Sequence, residues 1–278
     1  MNEKISVTLI TRNRPHFFCI SFSSLLTQSF TDWGVTIIDD SDIPLAARDA
    51  VESLLEVAKL KGHRVDVLQG ENLGIAQAWQ RGLEIASADI GYRMEDDIWL
   101  EWNNLGLLYS VIVKDSNIAA VGGMMPNILN PPILTGKDLY NYFYQDNVGN
   151  LIPDDMQRYL PDKSFDTNKT YEVSHLHGLF LYRKELVEKV GGFATHTSRV
   201  CHRDETDLTL RLWFAGYRLL VYPKALHYHF EAKTGGSRDD LTIQERTELQ
   251  KADEAIFQER LKQWLKEHPE KKLPIRNS

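Results

Sequence analysis

Cysteine is scarce: Cys19 and Cys201 are the only two in 278 residues. Neither has the spacing of a Cys/His metal pattern, so no disulfide framework is expected and a reducing compartment is. No apolar run approaches the ~20 residues that a membrane span needs. The opening Met-Asn-Glu-Lys lacks the charged-then-apolar order of a signal peptide, and the expectation is a cytoplasmic location. Positive charge is in deficit, with 32 Lys and Arg against 39 Asp and Glu and a formal net charge of −7. That balance offers nucleic acid and anionic lipid no broad attraction. It leaves only a local groove near Arg199, His202 and Arg203 as a basic surface. Internal repeats and low-complexity segments are also missing.

Short β-branched runs alternate with helical periodicity. Ile5 to Ile10, Trp33 to Ile38, Val65 to Leu68 and Tyr92 to Met94 read as strands. Helices are expected from about Pro15 to Gln28, Ala46 to Lys61 and Gly74 to Ala86. This alternation implies βαβ units and a mostly parallel sheet, whose ligands bind beyond the carboxyl ends of the strands. Three polar clusters lie at such ends: Thr11 to Arg14, Asp39 to Asp42, and Glu95 to Asp97. The segment from about Pro126 to Tyr171 is rich in Asn, Pro, Asp and Tyr and reads as loops. A strand is expected at Val173 to Arg183, then a short helix at Lys184 to Val190. A helix at Asp204 to Ala215 and a strand at Tyr217 to Tyr222 follow. The last expected helix, about Asp240 to Glu267, offers Ile243, Leu249, Ile256, Leu261 and Leu265 for one face. Docking on the domain, dimerisation or contact with a membrane surface would each use that stripe.

Each acidic cluster has two readings. Glu95, Asp96 and Asp97 are adjacent carboxylates that suit a hard divalent ion such as Mn²⁺ or Mg²⁺, or they form a solvated acidic turn. Asp39 and Asp40 can accept hydrogen bonds from a nucleobase or ribose, or shape a turn with Ser41 and Asp42. Asp204 and Glu205 open a helix, where acids are favoured by the dipole, and one of them can serve as a general base. His229 and His227 compete for a place at a metal or phosphate. His175 and His177 alternate along the expected strand. Thr234 to Arg238 holds two glycines, either as a mobile loop whose Arg238 clamps a diphosphate or as a linker.

The order of these clusters is more specific than any one of them. ISVTLITRNRP, FTDWGVTIIDDSD, ENLGIAQAWQRGLEIASADIGYRMEDD, and VGGF followed by DETDLTLRLWFAGYRLLVYPKALHYH together resemble the family-2 glycosyltransferases across most of residues 4 to 231. The resemblance implies the GT-A fold, a Rossmann-like, mostly parallel α/β sheet flanked by helices, with a C-terminal helical extension. It divides the chain into residues 1–122 for the nucleotide sugar, 123–238 for the acceptor, and 239–278 as extension and tail. By position, Thr11, Arg14, Asp39, Asp40, Asn72 and Gly74 would meet the donor nucleotide. Glu95 and Asp97 match the outer positions of the DxD metal motif, with Asp96 between them. Asp97, Glu95 and His229 would hold Mn²⁺ or Mg²⁺. Glu205 matches the base position, with Asp204 as alternate.

Two departures stand out: Glu95 replaces the usual aspartate, and the base motif reads Asp-Glu rather than Glu-Asp. The implied reaction is transfer from a nucleoside-diphosphate sugar, a UDP-sugar first, to a hydroxyl on a glycan, lipid-linked or other acceptor. Inversion at the anomeric carbon is expected. A sugar-phosphate nucleotidyltransferase is disfavoured because Thr11 to Pro15 contains no glycine. A non-catalytic sugar-nucleotide or glycan binder is disfavoured because both acidic blocks keep their carboxylates.

Overall fold

The computed structural model describes residues 3–70, 74–125, 166–176, 178–230 and 232–271. Its first half follows the expected alternation. Strand β1 (Ile5–Thr11) leads to α1 (Pro15–Leu26), β2 (Trp33–Asp39), α2 (Asp49–Leu60), β3 (Val65–Gln69), α3 (Ile75–Ile85) and β4 (Ile90–Glu95). A 3₁₀ turn at Leu45–Ala47 precedes α2 and delays its start past the expected Ala46. The four strands pair in parallel in the order β3-β2-β1-β4. Every residue of β2 is buried, as helices on both faces of a parallel sheet require. Register matters most for function. Thr11 pairs with Asp39 and Ile10 with Glu95, so the three polar clusters leave the sheet side by side.

The second half departs further from expectation. β5 (Ile98–Leu100), α4 (Asn104–Ile112) and β6 (Ile118–Met124) have no counterpart in the sequence reading. The expected strand from Val173 to Arg183 is two strands, β7 (Tyr171–Val173) and β8 (Phe180–Arg183). Gly178, at φ +56°, turns the chain between them. After α5 (Lys184–Lys189) and α6 (Asp204–Phe214), β9 runs from Arg218 to His229, seven residues past the expected end at Tyr222. Pro223 lies just past that end and cannot donate to a ladder. The strand passes it through a bulge, where Gly122 pairs with Val221 but Met124 with Leu226. Beyond the bulge β9 turns onto β5, setting Ile98 opposite His229. The loop-like segment is described only from Asp166, and Asn72 and His177 also lie outside the described residues.

Helix α7 (Ile243–Glu267) begins with a reciprocal capping box between Thr242 and Glu245. Its docking face differs from the expected stripe. Phe257 and Leu261 pack with Leu210 and Phe214 of α6, and Trp264 and Leu265 flank them. Asp253 is buried on the same face, whereas Ile243 and Ile256 face solvent. The spacing 253, 257, 261 is the i, i+4 row that a helix presents to a neighbour, and Ile243 and Ile256 fall off that row. The segment before α6 is not an open basic groove. Arg199 pairs with Asp240, and His202 Nε2 and Arg203 Nε lie 3.3 Å and 3.0 Å from Glu254 Oε2. Among the described residues no helix is long and apolar enough to cross a membrane.

Close packing of α3 on β1 yields a test. A Cβ on Gly82 would stand 2.3 Å from Thr8 Cγ2. Gly→Ala inside a helix ordinarily gains up to about 1 kcal/mol. Here Gly82→Ala is expected to destabilise by about 1–3 kcal/mol through overpacking. Urea unfolding should show a lower midpoint at unchanged m. A raised midpoint would mean that α3 has room to move off β1.

Candidate active site

The acidic triplet bridges β4 and β5 in a tight turn, and its three side chains diverge. Asp96 points back under the sheet edge. Its Oδ2 accepts from Thr11 Oγ1 at 2.8 Å and its Oδ1 from Arg14 Nη1 at 3.2 Å. Burial pushes its pKa up to about 7 against the pull of the Arg14 cation, and the charge of Asp97 adds to the rise. Asp97 Oδ2 accepts from the Ala232 N–H at 3.1 Å and from Arg14 Nη1 at 3.4 Å. Its Oδ1 lies 3.3 Å from His229 Nε2. Burial opposes this carboxylate, yet His229, Arg14 and the Ala232 N–H together hold its pKa below the usual range.

Ligand atoms of Glu95, Asp97 and His229 all lie within 4.8 Å of one another. Two carboxylates and an imidazole at this spacing fit Mn²⁺ or Mg²⁺. The pairing of β5 with β9 decides between the two histidines. His229 faces the triplet, while His227, opposite Leu100, is buried and pushed down to about 3 by desolvation.

The second acidic pair comes from the start of α6. Arg203 caps the helix in the left-handed region at φ 72°, and the first turn carries Asp204, Glu205 and Asp207. Asp207 is committed to Arg211 Nε at 2.7 Å and Arg260 Nε at 3.0 Å. Asp204 is buried and pairs with Arg93 Nη1 at 2.9 Å. Burial raises its pKa well above the carboxylate range, Arg93 pulls against the rise, and the neighbouring Glu205 adds to it. Glu205 is the accessible member, its side chain 23% exposed, with Oε2 3.8 Å from Arg93 Nη2.

Arg93 escaped the sequence reading. It projects from β4 between the rings of Trp79 and Phe180, 4.8 Å and 5.8 Å from their centroids. Its Nη2 also reaches Glu95 Oε1 at 3.3 Å. One buried guanidinium therefore touches Glu95 of the three-residue cluster and both Asp204 and Glu205 of α6. The available signal was an arginine in the middle of a strand that is otherwise apolar up to Glu95. A charge buried there requires opposite charges around it.

At the carboxyl end of β2 the two aspartates separate. Asp39 is spent on the backbone: Oδ1 accepts from Ser41 N at 3.0 Å and Oδ2 from Leu45 N at 2.6 Å. The turn-forming reading describes Asp39, and its oxygens do not face the cleft. Asp40 lines a cleft of 270 Å³ with Ile38, Gly70, Gly74, Gln77 and Arg81. A Cβ on Gly70 would meet the Asp40 carboxylate and push it from its place in the cleft. Gly74, at φ +107°, admits the start of α3 against Arg199, whose Cα is 2.6 Å from an ideal Cβ. Arg14 ties the triplet to the following loop, with Nε on Thr234 O at 2.9 Å and Nη2 on Gly235 O at 3.2 Å. Arg238 instead donates from Nη2 to Val200 O at 3.3 Å, so the structure brings Arg14, and not Arg238, to the acidic triplet. His175 is buried beside Ser174 Oγ at 3.3 Å.

Residues 6–191 match the sequence profile described as Glycosyl transferase family 2. A 122-residue stretch, 44% of the chain, is 24% identical to glycosyltransferase GlyA of Streptococcus pneumoniae serotype 4 and covers 17% of that protein. The mannosyltransferase PcManGT of Pyrobaculum calidifontis, solved with GDP-Man and Mn²⁺, is similar at a TM-score of 0.61 and 17% identity, over 84% of this chain and 58% of that one. GalNAc-T7, solved with UDP, GalNAc and Mn²⁺, is similar at 0.62 and 17% identity, over 81% and 43%. The chain thus spans less than two thirds of each of these proteins. At such identities the structural likeness speaks to the fold, which is GT-A. The profile covers more than half of the sequence, and the chain belongs to glycosyl transferase family 2.

Proposed function

We propose that this chain is a metal-dependent glycosyltransferase that moves a sugar from a nucleoside-diphosphate sugar, a UDP-sugar first, to an acceptor hydroxyl with inversion. The observation that carries this reading is one juxtaposition. The cluster Glu95, Asp97 and His229 and the pair Asp204 and Glu205 meet at Arg93, near the cleft that Asp40 lines. Residues 1–122 then serve the donor and 123–238 the acceptor, a glycan, lipid-linked or other hydroxyl. The nucleoside lies against Asp40 and the Gly74 end of α3. Glu95, Asp97 and His229 hold Mn²⁺ or Mg²⁺, which when bound offsets negative charge on the departing diphosphate.

Arg14 and Thr11 keep the triplet in register by bonding Asp96 and Asp97. Glu205, the accessible acid of its pair, takes the proton of the attacking hydroxyl. Asp204, buried against Arg93, fixes the guanidinium that orients Glu205. The acceptor attacks in line from the α6 side while the donor is held on the β4 side, which makes the displacement effectively unimolecular.

Three measurements test this reading. Incubation with UDP-glucose, UDP-N-acetylglucosamine and GDP-mannose should release nucleoside diphosphate from one donor with Mn²⁺ and not with EDTA. Asp97→Asn should lower that release on the order of 10²-fold. No release and no nucleotide binding under any condition would sink the donor site and favour a binding protein on the same scaffold.

Glu205→Gln should lower kcat by about 10²–10⁴-fold with the donor KM little changed. A far larger loss in Asp204→Asn than in Glu205→Gln would exchange the two roles.

Arg93→Met should cost about 3–5 kcal/mol by stranding buried carboxylates. Arg93→Met with Asp204→Asn should recover part of that loss in chemical denaturation. No recovery would mean that the Arg93–Asp204 contact does not govern the site's stability.

A further inference from the structure

The stretch Ser198 to Arg203, which delivers the chain to Glu205, is held almost entirely by residues beyond β9. Asp253, buried on α7, accepts three hydrogen bonds from it: Ser198 N at 2.7 Å, Ser198 Oγ at 2.8 Å and His202 N at 2.9 Å. Glu254 Oε2 meets Arg203 Nε at 3.0 Å and His202 Nε2 at 3.3 Å. Asp240 pairs with Arg199, and Arg238 caps the Val200 carbonyl. Five of the six residues 198–203 are engaged this way.

Within this stretch Cys201 (φ 50°) and Arg203 (φ 72°) occupy the left-handed region that L side chains avoid. Such a backbone persists only when its surroundings over-determine it. The other side of the same stretch touches the donor half, with Ile75 N on Arg199 O at 3.4 Å. None of residues 198–203 or 238–254 lies within the family profile, which ends at residue 191.

We propose that α7 is a brace for the catalytic loop and that Asp253 is a positioning residue that sets Glu205 against Arg93 and the acceptor hydroxyl. This rests on Glu205 acting as the base. The aspartate supplies acceptors to two N–H groups that a strained loop cannot pair within itself. Because α6 starts at the residue after Arg203, a change in that loop rotates Glu205 at the second helical position. A misplacement of the order of an ångström at a reacting group costs up to about 10²-fold in rate.

The test uses the full chain. Asp253→Ala and the isosteric Asp253→Asn are compared with the wild type for turnover of whichever of UDP-glucose, UDP-N-acetylglucosamine and GDP-mannose it accepts, with Mn²⁺. The amide NH₂ of Asn cannot accept from a backbone N–H, so one of the bonds is lost even where the fold is kept. Both variants should lower kcat by about 10- to 10²-fold. Affinity for UDP should fall less than kcat, since Asp40, Gly70 and Gln77 lie on other elements and only the Gly74 end of α3 meets the loop, through Arg199. In a Glu205→Gln background Asp253→Asn should cause no further loss, as expected when one residue acts through another.

Amide exchange of peptides spanning 198–205 should quicken in both variants while β1 exchange is unchanged. An additive loss in the Glu205→Gln background, or an unchanged kcat, overturns the positioning role. Unchanged exchange overturns the brace whether or not a donor is turned over. A wild type that turns over no donor counts against the proposed function alone and leaves exchange to decide the brace.

Discussion

Five carboxylates converge at the candidate site, and the balance of charge among them constrains everything nearby. Adjacent buried acids are tolerated only when a cation or a proton offsets each one. Two arginines divide the task. Arg14, its side chain 19% exposed, contacts Asp96 and Asp97 from the β1 loop. Arg93, 3% exposed, contacts Glu95, Asp204 and Glu205 from within the sheet. Burial opposes the Arg93 cation, and the three acids around it outweigh that cost and keep it charged. Burial works against the charged forms of Asp96 and Asp204 and raises the pKa of both, with Arg14 and Arg93 pulling the other way. Asp97 contrasts with its neighbour Asp96: His229, Arg14 and the Ala232 N–H hold its pKa down against burial and favour its charged form. A divalent ion seeks that property in a ligand.

Backbone geometry brings these charges together through two devices that sequence patterns hide. The first is strand register. Once β1 pairs with β2 and β4 in parallel, Thr11, Asp39 and Glu95 leave the sheet at one edge. The second is the bulge in β9 around Pro223, which lets one strand serve two pairings. Its first half extends the central sheet beside β6, and its last three residues pair with β5. Without that turn His229 would not stand opposite Ile98, one residue past Asp97. Parallel pairing thus supplies one half of the cluster, and the bulged strand supplies the other.

The legible parts of the sequence were those governed by short-range rules. Short β-branched runs and period-3.6 patterns located the first four strands and three helices, and the carboxyl-end rule for parallel sheets picked out the three polar clusters. Membership in family 2, anticipated from four ordered motifs, agrees with the family profile over residues 6–191. What stayed hidden depends on long-range contacts. Asp39 and Asp40 are adjacent and chemically alike, and only the fold shows that Ser41 and Leu45 consume one while the other lines the cleft. His227 and His229 lie two steps apart in the β9–β5 register, opposite Leu100 and Ile98. Arg93 was hidden because its partners lie 111 and 112 residues away in sequence, on α6. The docking face of α7 was read only in part: Leu261 and Leu265 lie on it, but its central Asp253 is a charge that a search for apolar periodicity passes over.

That aspartate bears on how the segment beyond the family profile relates to the rest. A helix that merely covered an apolar patch would need only Phe257 and Leu261 against Leu210 and Phe214. Burying a carboxylate beside them is costly unless it is fully hydrogen-bonded. Asp253 meets that condition, and all three of its donors belong to the loop that feeds α6. Arg260 adds a further polar tie at 3.0 Å to Asp207, one turn into the same helix. Polar contacts that fix orientation are the ones whose placement matters, since apolar packing alone tolerates sliding and repacking. The geometry of α6, and with it the separation of Glu205 from the β4 acids, is therefore set jointly by the sheet through Arg93 and by α7 through Asp253.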